Sequence, residues 1–136
     1  MANTVEHVGI VVDSLSNAKT FLGEVMGFQL DRESDLPHRG TKTAFFRAGP
    51  LQIEVIECTN PELRAERLGP DGTQARLEHV AIVVEDLSDH LAELSKHGVR
   101  TVPSEPPYVV TPGRKWVMTE PETSMGVMYQ IVELDR

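Results

Sequence analysis

The chain says one thing twice. VEHVGIVVDSLS at Val5 to Ser16 returns as LEHVAIVVEDLS at Leu77 to Ser88, with eight of the twelve aligned positions identical and a separation of 72 residues. In a chain of 136 residues this leaves room for two copies of one supersecondary unit and little else, because a fixed period in sequence is a repeated unit in structure. Each copy opens on a short β-branched run, Val8 to Val12 or Val80 to Val84, which suits a strand better than a helix. An acidic residue and a serine-containing turn follow. The period then changes: Ala18, Phe21, Leu22 and Val25 fall at helical spacing, as do Leu87, Leu91 and Leu94, and the two segments close at Gly27 and Gly98.

The parallel continues past the helix. Phe28 to Arg32, Thr41 to Ala48 and Leu51 to Cys58 read as three strands, the last two joined by a hairpin turn at RAGP. The second copy offers Arg100 to Val102, Lys115 to Thr119 and Gly126 to Leu134 in the same order. LQIEVIE at Leu51 to Glu57 aligns with VMYQIVE at Val127 to Glu133 at a separation of 76, and the extra residues fit the turn EPETSMG. The predicted class is therefore α+β, one domain over residues 1–136 made of two tandem βαβββ modules, at about 4–58 and 77–134. The stretch 59–76, with Pro61, Gly69, Pro70 and Gly72, reads as a linker holding a short helical turn at Glu62 to Arg67. PSEPPYVVTPG, from Pro103 to Gly113, is too rich in proline for a regular strand.

Thirteen basic against 21 acidic residues give a net charge of −8, which argues against nucleic acid and anionic membrane as partners, since both require a concentrated positive field. A small molecule is the expected partner. No apolar run approaches the roughly 20 residues of a membrane helix. The single Cys58 cannot form an intramolecular disulfide, and the start of the chain lacks the basic and apolar regions of a signal peptide, so the expected compartment is cytoplasmic.

The repeat places His7 and His79 at equivalent positions of two equivalent strands, and Glu54 and Gln130 at equivalent positions of two others. If the modules pack about a pseudo-twofold axis, the four side chains can converge. Two imidazoles, a carboxylate and an amide oxygen suit one divalent ion such as Zn, Ni, Co, Mn or Fe. The plainer account of a histidine beside a buried strand is a hydrogen-bonded structural residue. Against it stands the coincidence of Glu54 and Gln130 under the same repeat, since polar groups on central strands are costly unless paired. His38, His90 and His97 fall in a loop or on the polar side of a helix. Glu57 and Glu133 lie an odd number of residues from Glu54 and Gln130 and so face away from them. Arg47 could meet an anionic group, Phe45 and Trp116 could wall an apolar pocket, and Cys58 has no basic sequence neighbour to make it a nucleophile.

These motifs, EHVGIVVDSL, EHVAIVVEDL, LQIEVIE and MGVMYQIVE, resemble the vicinal oxygen chelate superfamily, which contains glyoxalase I, methylmalonyl-CoA epimerase, extradiol dioxygenases and bleomycin-resistance proteins. The resemblance spans Val5 to Leu134 and implies that the two modules form a cup-shaped, eight-stranded mixed sheet with a divalent metal on its concave face. By motif, His7, Glu54, His79 and Gln130 match the metal ligands. The last ligand in the family is usually Glu, and Gln130 departs from this; the position of a further glutamate in the epimerase corresponds to Thr43. Glu54 is then the carboxylate placed to act as ligand and base. The implied activity is that of a metal-dependent isomerase, epimerase or lyase of the glyoxalase or methylmalonyl-CoA epimerase type, working on a small molecule as a homodimer. The alternatives are a non-catalytic sequestering protein of the bleomycin-resistance type, and a non-haem iron dioxygenase, whose last-strand carboxylate would stand where this chain has Gln130.

Overall fold

The computed structural model describes residues 3–104 and 106–136. Along the chain come β1 (Thr4–Val12), α1 (Leu15–Thr20), β2 (Gln29–Leu36), β3 (Thr41–Ala48), β4 (Leu51–Cys58), α2 (Pro61–Arg67), β5 (Ala75–Val83), α3 (Leu87–Lys96), β6 (Thr101–Val102), β7 (Val109–Thr111), β8 (Arg114–Thr119) and β9 (Met128–Leu134). The class is α+β, and the sheet is mixed and open. Nine strands stand among the described residues where eight were expected; the addition is β7, paired with β8. It forms because YVVT, at Tyr108 to Thr111, is free of proline, and the TPGR turn folds it back as a hairpin.

The chain divides into two compact units, one of His7–Glu78 and one of His79–Arg136 together with the residues up to Glu6. In the first, the strand order is β2-β3-β4-β1, with β1 parallel to β4 and the other pairs antiparallel. In the second it is β5-β9-β8-β6, with β5 parallel to β9. A parallel pair needs a crossover, and in each unit the helix after the first strand begins it.

The two helices start alike. Ser14 caps α1 by accepting from the Asn17 amide at 3.1 Å, and Asp86 caps α3 by accepting from the Asp89 amide at 2.8 Å. Both end before a glycine in the left-handed region, Gly27 at φ 79° and Gly98 at φ 77°. They differ in the middle. α3 turns Leu87, Leu91 and Leu94 onto a core with Val84, Val117 and Ile131. α1 passes instead into a π-helical turn at Phe21–Val25. A wider turn advances each residue by a smaller angle, so the helical spacing read from the sequence fails there. Leu22 enters the core with Val12, Ala44, Phe46 and Val55, while Phe21 and Val25 stay exposed.

α2 is capped by Asn60, whose side chain accepts from the Glu62 and Leu63 amides at 2.9 and 3.1 Å. The segment is packed: Leu68 is buried with Val11, Ile56 and Cys58, and Leu63 packs against them. These residues lie on the face of β1 and β4 that points away from α1.

Candidate functional site

In the unit His7–Glu78, the parallel register sets His7 opposite Gln52 and Gly9 opposite Glu54, and the antiparallel register sets Phe45 opposite Glu54. Paired residues share a face, so the face turned away from α1 presents His7, Phe45 and Glu54 together. His7 Nε2 is 3.4 Å from Glu54 Oε1, with side chains 4% and 14% exposed. The Phe45 ring meets the His7 ring edge-on, with centroids 5.7 Å apart and planes at 89°. The expected pair of first-module site residues is thus brought together, with Phe45 as a wall beside them.

In the other unit, His79 is buried on β5 opposite Met128, and Ala81 lies opposite Gln130. Met118 on β8 is also opposite Gln130, so Gln130 stands between two apolar neighbours. Its Oε1 is buried and has no hydrogen-bond partner among the described residues. A buried acceptor left bare costs about 1–3 kcal/mol and calls for a reason. Reserving the lone pair for an electrophile is one.

Glu57 and Glu133 face away from these groups, as alternation requires, and both do the same structural task. Glu57 Oε1 accepts from the Leu15 amide at 2.8 Å, and Glu133 Oε1 accepts from the Leu87 amide at 2.8 Å. Each carboxylate therefore sits at the positive end of a helix. His38 and His97 are exposed and His90 is half-buried on α3. Trp116 donates from Nε1 to Thr111 Oγ1 at 3.2 Å. Cys58 is buried, and burial pushes its thiol pKa up against the opposing pull of Arg67.

Three features of the first unit are invisible to simple alternation. Arg67 holds Glu78 through two 2.8 Å bonds, with the Glu78 side chain 4% exposed. A β-bulge between Leu30 and Arg32 sends Arg32 opposite Phe45. Asp31, inside the bulge, accepts from Gln52 Nε2 at 2.7 Å and pairs with Arg47 at 3.0 Å. Arg47, a candidate for meeting an anionic group, is already paired with Asp31.

Residues 6–117 match the model of the Glyoxalase/Bleomycin resistance protein/Dioxygenase superfamily. The chain belongs to this superfamily. Among its relatives, the uncharacterized protein YqjC of Bacillus subtilis (strain 168) is 27% identical over 96% of this chain and 92% of its own. Methylmalonyl-CoA epimerase, mitochondrial, of Mus musculus is 22% identical over 93% of this chain and 71% of its own. The crystal structure of a hypothetical protein from Bacillus halodurans C-125 superposes with a TM-score of 0.84 and 25% identity, covering 100% of this chain and 97% of that one.

Members of this superfamily typically bind a divalent metal. Each unit carries donors of the type such an ion takes: the His7 imidazole and Glu54 carboxylate in one, the His79 imidazole and the bare amide oxygen of Gln130 in the other. Gln130 lies beyond the matched residues, so its candidacy comes from the repeat and from that oxygen. Among the described residues no helix is long and apolar enough to cross a membrane.

Proposed function

We propose that His7, Glu54, His79 and Gln130 hold one divalent ion, and that the protein is a metal-dependent isomerase, epimerase or lyase which takes a proton from a carbon next to a substrate oxygen. The observation that carries this reading is the buried, unpartnered Gln130 Oε1, placed by the repeat where Glu54 stands in the other copy. When bound, the ion supplies the Lewis acidity that makes such a C–H removable at neutral pH. Zn, Ni, Co, Mn and Fe all suit this donor set.

The residues divide the work. Glu54 Oε receives the proton as the C–H bond breaks, and returns it as the new C–H bond forms. The His7 imidazole, 3.4 Å away, fixes the carboxylate's position. Phe45 excludes water from one side of that pair. Gln130 is a neutral amide and takes no proton, and Thr43, buried two residues from Phe45 on β3, carries no base either. One carboxylate handling the proton favours a single-base transfer over a relay between opposed bases. The likeness to methylmalonyl-CoA epimerase makes acyl-CoA epimers the first substrates to try, with 2-oxo thiohemiacetals beside them. In the same reading the protein works as a cytoplasmic homodimer.

The test begins with protein purified without added metal or chelator. About one divalent ion per chain, lost in His79→Ala, is expected. Incubation in deuterium oxide with each substrate class should then give deuterium at the acidic carbon, abolished in Glu54→Gln. A wild type that holds no ion after loading with each of the five metals ends the metalloenzyme reading.

A further inference from the structure

The bulge in β2 does more than bend an edge strand. Leu30 lies opposite Phe46, whose side chain is in the core beneath α1. Regular alternation from Leu30 would return Arg32 to that same side. One inserted residue, Asp31, places Arg32 opposite Phe45 instead, on the face that carries Glu54 and His7. A cross-strand row results, Arg32, Phe45, Glu54 and Gly9, on four adjacent strands. With strands about 4.8 Å apart, Arg32 is anchored about 10 Å from Glu54.

The arginine is prepared for use. Its guanidinium carbon lies 3.9 Å from the Phe45 ring centroid, and the same ring touches His7 by its edge. Asp31, the nearest carboxylate at 3.6 Å, is already engaged by Arg47 and by the Gln52 amide. Asp31 is thus shared by two guanidinium groups and balances one of them, which leaves one cationic charge uncompensated within ion-pair distance in a chain of net charge −8. The Arg32 side chain is 48% exposed, which leaves its outer donors within reach of a ligand. The matching row of the other unit, Val102, Met118, Gln130 and Ala81, has no ionisable member.

We propose that Arg32 is the specificity-determining residue of this site, binding one carboxylate of a small carboxylic-acid substrate whose acidic C–H faces Glu54. This rests on the reading of Glu54 as the base. One net charge and one planar fork match a single carboxylate, which a guanidinium holds through two parallel bonds, better than a doubly charged phosphate.

The test is calorimetric titration of malonate and of neutral malonamide into wild type, Arg32→Gln, Arg32→Lys and Arg47→Gln, with metal content measured on the same samples. Wild type should prefer malonate. The preference should fall at least about tenfold in Arg32→Gln, survive in part in Arg32→Lys, and change by less than about threefold in Arg47→Gln, with malonamide binding unchanged throughout. Arg32→Lys keeps a cation over Phe45 and decides the matter if the glutamine variant fails to fold: it should lose part of the preference. The assignment is overturned if wild type does not discriminate, if Arg47→Gln loses as much, if malonamide weakens in parallel in Arg32→Gln, or if Arg32→Lys loses nothing. Loss of the ion from wild type would undo the metal reading alone, because the Arg32-dependent preference is scored independently of it.

Discussion

Replacing Gln130 by leucine should move the metal-free and metal-loaded protein in opposite directions. In the metal-free protein, Gln130 Oε1 is buried without a donor among the described residues, between Met118 and Ala81 on the neighbouring strands. Removing such an acceptor recovers a desolvation cost of about 1–3 kcal/mol. The side chain is only half-buried, so the lower part of that range, about 1–2 kcal/mol, is the expected gain. For a chain of this length that is a rise in Tm of about 3–8 °C. With metal present the sign reverses. An ion at 100 times its Kd stabilises the wild type by about 2.7 kcal/mol. If losing one of four ligands weakens binding about 100-fold, the same metal concentration leaves about 0.4 kcal/mol. Thermal unfolding followed by circular dichroism, in EDTA and at fixed metal excess, reads both quantities. Destabilisation of the metal-free variant by more than about 1 kcal/mol would mean that the oxygen is satisfied in the wild type. An unchanged metal-induced rise would remove Gln130 from the ligand set.

Further outcomes follow from groups outside the ligand set. Glu57→Ala and Glu133→Ala each remove the acceptor of a helix-start amide, at Leu15 and Leu87 respectively, and each should cost about 1–2 kcal/mol in urea unfolding. Because the two contacts lie in separate units, the double variant should show the sum, and a loss below about 0.3 kcal/mol in either would deny the carboxylates their anchoring role. Cys58 has its thiol pKa raised by burial, so less thiolate exists near pH 8 than for an exposed thiol. Iodoacetamide labelling followed by mass should be at least about 100-fold slower than for a free thiol, and should reach the free rate in denaturant. Fast labelling of the native protein would contradict the packing of Cys58 against Leu68 and Val11.

Much of the architecture was legible because duplication writes it twice. The two EHV motifs, the acidic, serine-containing turns that follow the first strand of each copy, and the glycine stops at Gly27 and Gly98 each come as a pair, and a pattern that recurs is hard to produce by accident. The facing directions of Glu54 and Glu57 followed from alternation alone. What escaped depends on breaks in periodicity. The π turn at Phe21–Val25 and the bulge at Asp31 each insert a fraction of a period, after which the rest of that element points elsewhere than the pattern says. Arg32 was overlooked for that reason, and Arg47, which alternation put on the right face, proved to be held by Asp31. The Arg67–Glu78 pair joins residues 11 apart across a turn and has no periodic signature at all.

A duplicated fold presents the same face in both copies, so the chemistry must lie in what the copies do not share. Glu54 and Gln130 occupy equivalent strand positions, each beside a small residue, Gly9 or Ala81, on the parallel neighbour. One can change protonation state and the other cannot. The same inequality recurs further along the rows, where Phe45 and Arg32 in one unit answer to Met118 and Val102 in the other. Both ionisable members therefore belong to one unit, while its counterpart offers an amide oxygen and apolar surface. In the proposed function the anionic end of the substrate is therefore met by the His7–Glu78 unit, where Arg32 shares a row with Glu54. A carboxylate held by Arg32 would in that reading bring the same C–H to Glu54 each time, which is what a one-carboxylate site needs in order to be selective. Exchanging the members, with Glu54→Gln and Gln130→Glu in one chain, would keep the donor types but move the base to the unit that lacks the cation. Metal binding should survive that exchange, and proton exchange at the substrate carbon should not.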